Sequence, residues 1–497
     1  MRIGLKQTII LGAPGCGKTT RLLNIVEEKL AAGIPPERIA YMSFTTKAVN
    51  EAVSRAEKKF GFIRKRLPFF RTVHSFCFRQ TGASRSSVMG PAHYQDLAKL
   101  LGIALTGYMD GEEGTGMPVG GSIGDQMLFT DNLARSTGIS LKKTYDSLEY
   151  PDFSWHQLKQ FSEALSKYKL DSGLLDFTDM LNQYLVNGKP ANVDVAIIDE
   201  AQDLSVVQWQ VIKRAFSGTS EVYIAGDDDQ AIYKWSGADV DTFLSLDGEK
   251  EILAQSWRLP ASIHRLSQKV IKHVGKRFDK VFKAREEQGE ISYYNSVEMI
   301  QPAEGSWLYL ARNLYQLGQI KRMLYEQGIP FTTSQGSSIV AKEYKAIIYW
   351  ERLRKGQKVL GIDAKNALSF SEKKAKKLDD EVEYTAEDLG LKDMKMWHES
   401  LVKIPLQQRE YYLMILRELG PKGLSMHPKH HVSTIHGVKG GESDNVVLLT
   451  DMAAKSYKEY KLRPDDETRV FYVGITRAKK HLHIVLPQTN QYFAEYK

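Results

Sequence analysis

Short apolar runs alternate with helical stretches over the first 80 residues of the chain. Residues 8–11 and 38–44 are mainly apolar and predict buried strands, and each is followed by a stretch typical of a helix, at 20–26 and 47–52. Residues 69–76 repeat the pattern of a strand that leads into a helix. Strands that alternate with helices predict a mostly parallel sheet covered by helices on both faces.

The strand pattern returns further along the chain. Two stretches that interrupt it, 84–192 and 341–429, are mainly helical and polar. Within the first, the glycine-rich residues 107–124 lack a preceding strand, so we expect a surface loop rather than a dinucleotide-binding turn. We predict an α/β protein of two units, each with a mainly helical insertion. The later strands are expected at residues 193–198, 221–225, 307–312, 445–449 and 481–486.

A glycine-rich loop between the first strand and the first helix matches G-x-x-x-x-G-K-[ST] in full. Its glycines let backbone N–H groups turn toward phosphate oxygens, and the helix N-terminus adds partial positive charge. We expect Lys18 to reach the outer phosphates of a nucleoside triphosphate and the Thr19 hydroxyl to hold Mg²⁺. The other predicted phosphate-binding residues are Gly12, Ala13, Pro14, Gly15, Cys16, Gly17 and Thr20.

Polar residues with catalytic chemistry follow two later strands. Asp199 can hold Mg²⁺, and Glu200 can orient and deprotonate an attacking water. Gln230 could sense the γ-phosphate and lies close in sequence to Tyr233 and Trp235. Aromatic side chains on a loop of a basic protein are candidate platforms for unpaired bases, and core packing is the alternative for either ring.

The composition narrows the class of protein. A net charge of +8 and a pI near 9.0 suit a polyanionic partner. No apolar run approaches the roughly 20 residues of a membrane span, and the N-terminal residues lead into a strand without a signal peptide, so we expect a cytoplasmic protein with no membrane partner. Two cysteines are too few for a disulfide framework. His427, His430 and His431 lie near a proline, where we expect a solvated loop rather than a metal site.

In their order along the chain, these motifs resemble the UvrD/Rep branch of superfamily-one DNA helicases. The resemblance extends from Gly12 to Ala478, and the two insertions carry no motif of the family. The most similar blocks are residues 12–19, 199–203, 226–238 and 472–478, and shorter similar blocks are residues 44–48, 72–76, 176–179 and 434–440.

The resemblance implies two RecA-like P-loop domains with ATP bound in the cleft between them. Domain 1A would comprise residues 1–83 and 193–250, with 84–192 as insertion 1B. Domain 2A would comprise residues 251–340 and 430–497, with 341–429 as a short insertion 2B.

The resemblance also implies roles for single residues. Arg258 and Arg477 would be arginine fingers at the γ-phosphate, and with Lys18, Glu200 and Gln230 they would form the catalytic set. In addition, Trp257 would stack on the adenine and Glu442 would bind the ribose. The residues implied to lie along single-stranded DNA are Phe44, Thr45, His74, Tyr233, Trp235, Thr434 and His436.

Several positions depart from the family pattern. Only Gln7 stands near the place of the glutamine block that reads adenine in similar helicases. Ser236 and Thr20 stand where the family often has arginine, and Gly441 stands where it has leucine.

The activity implied is that of an ATP-dependent DNA helicase that moves 3′ to 5′ on single-stranded DNA and unwinds duplex DNA. ATP and Mg²⁺ would be its cofactors, and replication or repair proteins are candidate partners. One alternative is a translocase that displaces bound proteins with little unwinding. Another is a nucleotide-gated DNA-binding scaffold subunit, against which the acids and both arginines argue. An RNA substrate is less favoured than DNA.

Overall fold

The computed structural model describes residues 1–107, 109–110, 117–118, 121–149, 151–373 and 377–496. Contacts divide the chain into two compact units. The first comprises residues 1–288 and 459–476, and the second comprises residues 289–458 and 477–497. Much of the predicted surface loop at 107–124 lies outside the described residues.

The first unit is built on a six-stranded sheet in which all paired strands are parallel. The strands of this unit are β1 (Lys6–Gly12), β2 (Ile39–Ser43), β3 (Phe70–Thr72), β4 (Met109–Asp110), β5 (Met117–Pro118), β6 (Val195–Asp199), β7 (Glu221–Gly226) and β8 (Glu249–Leu253). The order across the sheet is β3-β2-β6-β7-β1-β8, and β4 and β5 form a separate antiparallel pair.

Helices cover both faces of this sheet because its central strands are apolar on both sides. Ile9 and Leu11 belong to one buried cluster, whereas Ile10, between them, belongs to another. Successive side chains of a strand point to opposite faces of the sheet, so each face of β1 packs into its own hydrophobic cluster. The helices of the first unit in chain order are α1 (Lys18–Ala31), α2 (Thr46–Phe60), α3 (Val73–Thr81), α4 (Pro91–Leu101), α5 (Ile123–Thr137), α6 (Leu141–Asp146), α7 (Trp155–Ser172), α8 (Phe177–Asn187), α9 (Val206–Ala215), α10 (Val240–Leu244) and α11 (Ala261–Ile271).

Helices α4–α7 form most of the insertion between β3 and β6, and a buried ion cluster ties them to α8. Arg135 on α5 pairs with Asp176 at 2.7 Å, and Lys169 on α7 pairs with the same carboxylate at 2.6 Å. Asp176 also caps α8, since its side chain accepts a hydrogen bond from the Asp179 N–H at 2.9 Å. The block 176–179 therefore fixes the start of α8 against the insertion.

The second unit contains a seven-stranded sheet in the order β12-β11-β15-β10-β16-β17-β9. Its neighbouring strands are parallel except for the antiparallel pair β11 and β12. The strands are β9 (Glu290–Tyr294), β10 (Trp307–Ala311), β11 (Phe331–Thr333), β12 (Gly336–Ser337), β13 (Val359–Leu360), β14 (Glu383–Tyr384), β15 (His430–Thr434), β16 (Ser443–Leu449) and β17 (Ala478–Val485). A further antiparallel pair, β13 and β14, lies in the helical segment between β12 and β15.

That helical segment has a hydrophobic core of its own. Trp350, Trp397 and Tyr412 are buried in a cluster drawn from residues 339–424. The remaining helices are α12 (Leu317–Glu326), α13 (Ala341–Arg354), α14 (Gly361–Ser369), α15 (Trp397–Ser400), α16 (Leu406–Leu419), α17 (Ala454–Leu462) and α18 (Pro464–Ile475), of which α18 belongs to the first unit.

The predicted fold class is confirmed, since both sheets are largely parallel and packed against helices. The predicted domain boundaries remain a prediction. Within the described ranges, no helix is long and apolar enough to cross a membrane.

The predicted solvated loop around His430 and His431 is wrong, because both residues begin strand β15. The His430 ring stacks on Trp307 at 6.1 Å between centroids, and its Nδ1 lies 3.2 Å from the Tyr309 hydroxyl. His483 on β17 stacks on the same indole at 5.0 Å. These ring contacts make His430 and His483 packing residues of the second sheet.

We predict that acid destabilises the second unit through these two histidines. Burial lowers the pKa of His430 and of His483 to about 4, with a further contribution from Lys429 and His481 respectively. A histidine with a lowered folded-state pKa contributes full stability above its unfolded value of about 6.5 and loses it as pH falls toward 4. Between pH 7.5 and pH 5, the thermal midpoint of His430→Gln should therefore fall less than that of the wild type. The difference should be about 2–4 °C for each kcal/mol of stability that the wild type loses through His430.

The control for this prediction is His427→Gln, which changes an exposed histidine three residues earlier. Its melting curves should keep the pH dependence of the wild type. Equal pH dependence in all three proteins, followed by circular dichroism, would contradict the prediction.

Candidate functional site

Three loops meet at one edge of the first sheet because β6, β7 and β1 are adjacent and parallel. Leu11 of β1 pairs with Gly226 of β7, and Ile198 of β6 pairs with Ile224. The next residues along the chain are therefore neighbours at this edge, and they are Gly12, Asp227 and Asp199.

The phosphate loop has the geometry that its glycines predict. Gly15 and Gly17 have φ of 74° and 78°, in the left-handed region that L side chains rarely adopt. Helix α1 begins directly afterwards at Lys18, whose Nζ donates to the Gly12 carbonyl at 2.9 Å. Burial raises the pKa of Cys16 to about 12, so its thiol is neutral and inert.

Residues 256–258 dock directly on the phosphate loop. The Ser256 hydroxyl donates to the Pro14 carbonyl at 2.7 Å, and the Trp257 N–H donates to the Gly15 carbonyl at 2.9 Å. A Cβ atom added to Gly15 would lie 2.3 Å from the Cβ of Arg258, so only glycine fits there. The Trp257 side chain is 73% exposed beside the loop. This arrangement places Arg258 and Trp257 beside the phosphate loop, and their roles there remain predictions.

Asp199 lies at the buried end of β6. The Tyr41 hydroxyl donates to its Oδ2 at 2.6 Å, and the Glu200 N–H donates to its Oδ1 at 2.9 Å. Burial, reinforced by the Glu200 charge, raises the pKa of Asp199 to about 6, which leaves a carboxylate that gains from a nearby cation.

Asp199 and Thr19 suit Mg²⁺ as a pair of oxygen donors. Each Asp199 oxygen accepts one hydrogen bond and keeps a further lone pair. The Thr19 hydroxyl is half-exposed and makes no hydrogen bond within the described part of the chain. Mg²⁺ takes few protein ligands and completes its shell with water and substrate phosphates, so two donors are enough.

A hydrogen-bonded path leads from Glu200 to Gln230. The Gln202 Nε2 donates to Glu200 Oε2 at 2.7 Å, and Gln202 Oε1 accepts from the Asp227 N–H at 2.9 Å. Asp227 Oδ2 in turn accepts from Gln230 Nε2 at 2.7 Å. Glu200 has φ of 52°, a strained conformation for a residue with a side chain, and such strain is found at functional sites. The predicted base and the predicted γ-phosphate sensor thus share one polar network.

Aromatic side chains from the predicted DNA-binding set gather next to this network. Phe44 stacks on Tyr233 at 5.9 Å, and Trp235 stacks on Phe129 of the insertion at 5.9 Å. Trp235 is half-buried, so one part of its indole packs in the fold and another part stays accessible.

A cavity of about 360 Å³ opens beside these rings. It is lined by Phe44, His74, Phe129 and Phe177, together with polar groups such as Asn132. Among the described residues, the charged groups in its lining are carboxylates, not lysines or arginines. The cavity therefore suits an aromatic base better than a phosphate.

Four predicted residues lie in the second unit. Arg477 is 1% exposed and its Nη1 donates to the Gly441 carbonyl at 3.1 Å. Glu442 is exposed and lies 3.7 Å from Lys479. Thr434 ends β15 and its hydroxyl accepts the Gly437 N–H at 3.1 Å. His436 follows in a short turn and is half-buried.

Other predicted residues have local structural roles. Gln7 is buried on β1, where its Oε1 accepts from the Ile3 N–H at 2.8 Å and its Nε2 donates to the Met1 carbonyl at 3.1 Å. Thr45 caps α2, since its hydroxyl accepts from the Ala48 N–H at 3.1 Å. Thr20 is exposed on α1.

Sequence reasoning missed four residues that shape the site. No predicted role was given to Tyr41, Gln202, Ser256 or Lys280, which contact the site through the tertiary fold. Gln202 lies within the block 199–203, and the other three lie outside the motif blocks. A buried strand tyrosine was the one available signal, since Tyr41 interrupts an apolar run with a hydroxyl that needs a partner.

Comparison with known proteins gives two family matches. Residues 2–251 match the UvrD/REP helicase N-terminal domain, and residues 413–489 match the UvrD-like helicase C-terminal domain. The first match covers half of the chain.

The chain is also similar to individual proteins, over parts of their length. The chain is 38% identical over 99 residues to the RecBCD enzyme subunit RecB of Mycolicibacterium smegmatis, which is 17% of this chain and 9% of RecB. It is 23% identical over 359 residues to the ATP-dependent DNA helicase PcrA of Bacillus subtilis, which is 67% of this chain and 46% of PcrA. It is 27% identical over 263 residues to the ATP-dependent DNA helicase srs2 of Schizosaccharomyces pombe, which is 47% of this chain and 29% of srs2. The chain thus spans less than half of each relative.

We predict that Gly15→Ala abolishes nucleotide binding. The added methyl meets Arg258 at 2.3 Å and strains a backbone with φ of 74°, so the phosphate loop must move. Fluorescent ATP titration should detect a loss of affinity of at least 100-fold. Gly33→Ala is the matched control, since Gly33 also has a positive φ but meets nothing within 4 Å. Equal affinities in the two variants would contradict the prediction.

Proposed function

This chain belongs to the UvrD/Rep family of helicases, and we propose that it is an ATP-hydrolysing DNA helicase that moves 3′ to 5′ on single-stranded DNA and unwinds duplexes. The observation that carries the proposal is the path from Glu200 through Gln202 and Asp227 to Gln230. Gln230 lies three residues before Tyr233, which stacks on Phe44 beside the cavity. A change at the bases can therefore reach the catalytic groups through one short loop.

The phosphate loop and its neighbours would bind and activate ATP. Lys18 would leave the Gly12 carbonyl for the outer phosphates, where its charge is worth more. Glu200 would take a proton from the attacking water, with Gln202 holding one carboxylate oxygen. Arg258 would stabilise charge on the γ-phosphate, and we propose the same role for Arg477. The exposed indole of Trp257 would cover the adenine.

Mg²⁺ would be held by Thr19 and Asp199 and would supply positive charge at the outer phosphates. Tyr41 would orient the Asp199 carboxylate through its 2.6 Å hydrogen bond. Such support from a neighbouring side chain fixes the direction of a ligand oxygen.

Single-stranded DNA would lie along the aromatic residues of the first unit. The cavity beside Phe44 and His74 would receive a base, because its lining is aromatic and its charged groups are acidic. Thr434 and His436 would contribute contacts from the second unit. The predicted domain boundaries 1A, 1B, 2A and 2B form part of this proposal, as do replication or repair proteins as partners.

The first test follows ATP turnover and strand separation together. We predict that single-stranded DNA strongly stimulates turnover and that duplexes with a 3′ tail are unwound in preference to those with a 5′ tail or an RNA tail. Glu200→Gln should keep ATP affinity but lose turnover by about 100-fold or more, and Lys18→Ala should lose both. Glu37→Gln, which changes a half-exposed glutamate of the same unit that pairs with Arg66 at 2.8 Å, is the control.

Each outcome of this test distinguishes one function. Equal turnover with and without DNA would contradict the coupling between Gln230 and the aromatic loop. DNA-stimulated turnover that displaces a bound protein but leaves duplexes intact would favour the translocase. Wild-type turnover in Glu200→Gln would show that the base is assigned to the wrong residue.

We further predict that Trp235→Ala weakens binding of single-stranded DNA by about 1–3 kcal/mol, because a base loses its stacking partner. Fluorescence anisotropy with a labelled oligonucleotide measures the change. Trp155→Ala is the control, since Trp155 is also half-buried and packs on Tyr145 at 5.8 Å, within the insertion. If Trp235→Ala melts early but binds DNA normally when folded, the indole is a packing residue.

A further inference from the structure

Three consecutive aspartates after β7 converge on one lysine. Asp227, Asp228 and Asp229 are 0%, 0% and 1% exposed, and Lys280 is 1% exposed. The Lys280 Nζ lies 3.0 Å from Asp227 Oδ1 and 3.0 Å from Asp229 Oδ2, and it donates a short hydrogen bond to Asp228. Buried carboxylates are costly unless they are paired, so this lysine is a condition for the loop to adopt its conformation.

The segment 277–280 holds the same loop at two further points. Arg277 donates to both carboxylate oxygens of Asp229, from Nε at 2.8 Å and from Nη2 at 2.6 Å. The Phe278 N–H donates to Asp228 Oδ2 at 2.9 Å. Asp228 and Asp229 are therefore anchored without Lys280, whereas Asp227 has Lys280 as its ion-pair partner among the described residues.

Asp227 is also the aspartate that faces the catalytic network. Burial would raise its pKa, but Lys280 and Lys18 outweigh burial and hold the pKa below its ordinary value. The ionised carboxylate accepts the Gln230 Nε2–H, which turns the amide oxygen of Gln230 away from Asp227. The backbone N–H of Asp227 donates to Gln202 Oε1, and Gln202 Nε2 donates to Glu200 Oε2.

We propose that Lys280 is a positioning residue for ATP hydrolysis, which fixes the Asp227 carboxylate and thereby the orientation of Gln230. This inference rests on the proposed function. Lys280 is 1% exposed and acts through Asp227. Without Lys280, Asp227 Oδ1 keeps the Asp229 N–H at 3.3 Å but loses its ion pair. Asp227 can then take up a proton and holds the Gln230 amide less firmly. ATP still binds at the phosphate loop, but the DNA-dependent step loses its alignment.

The test is Lys280→Met, which keeps the length of the side chain and removes its charge. We expect the kcat of DNA-stimulated ATP hydrolysis to fall at least 10-fold, while the KM for ATP and the Kd for single-stranded DNA change less than twofold. Lys276→Met is the matched control, since Lys276 is 69% exposed and pairs with Asp241 on the surface. An unchanged kcat, or a raised KM with an unchanged kcat, would overturn the inference.

A second variant separates positioning from stability. Together, the three aspartates, Lys280 and Arg277 carry a net charge of −1. Lys280→Met changes the sum to −2, and adding Asp228→Asn restores −1. We expect the double variant to recover its thermal midpoint but to keep the low kcat, because the contact to Asp227 is still missing. Recovery of kcat together with the midpoint would mean that Lys280 only stabilises the fold.

The double variant is also the protein to assay if Lys280→Met alone does not fold. A wild-type protein without ATP turnover would overturn the proposed function and this inference with it. If the wild type shows DNA-stimulated turnover and the double variant has the same turnover, the inference about Lys280 is overturned but the proposed function is not.

Discussion

Parallel strands end at the same edge of a sheet, and the candidate site depends on this constraint. The loop after β1 has the phosphate-loop motif, the loop after β6 carries two acids, and the loop after β7 carries an amide. The first and the last of these loops lie more than 200 residues apart in the chain. Adjacent strands and a matched register place their first residues side by side. No loop needs to reach across the sheet, so each stays short and takes its conformation from the strand that precedes it.

This convergence gathers negative charge in a buried place, and the fold compensates for it unevenly. Asp227 is neutralised from within the protein, by Lys280 and Lys18, which keep its pKa low. Asp199 receives a hydrogen bond from Tyr41, but burial and Glu200 dominate and raise its pKa to about 6. The Asp227 carboxylate is thus already paired with cations of the protein, whereas binding of a further cation would stabilise the ionised form of Asp199. A metal ion that arrives with the nucleotide would therefore bind at Asp199 rather than at Asp227.

The sequence predicted the parts of the site that follow a repeated local rule. The phosphate loop, the strand before it and the acids at Asp199 and Glu200 are of this kind, because glycine spacing and apolar runs act over a few residues. Lys280 and Ser256 could not be found this way, since a single lysine or serine has no period, and its partner lies about 50 or 240 residues away along the chain. The strand at His430 was missed because histidines are polar in isolation, whereas the flat ring packs on Trp307 and Tyr309 once the sheet forms.

The way in which Trp257 is held has a spectroscopic consequence. Its backbone is tied to the carbonyl of Gly15, while its indole is 73% exposed. Of the seven tryptophans, four are buried at 4% exposure or less, and two more are half-buried. Long-wavelength emission from water-exposed indole therefore comes chiefly from one residue, which is attached to the phosphate loop. The protein carries an intrinsic fluorophore at the place where a nucleotide base would arrive, and its quenching or blue shift can be followed without a label.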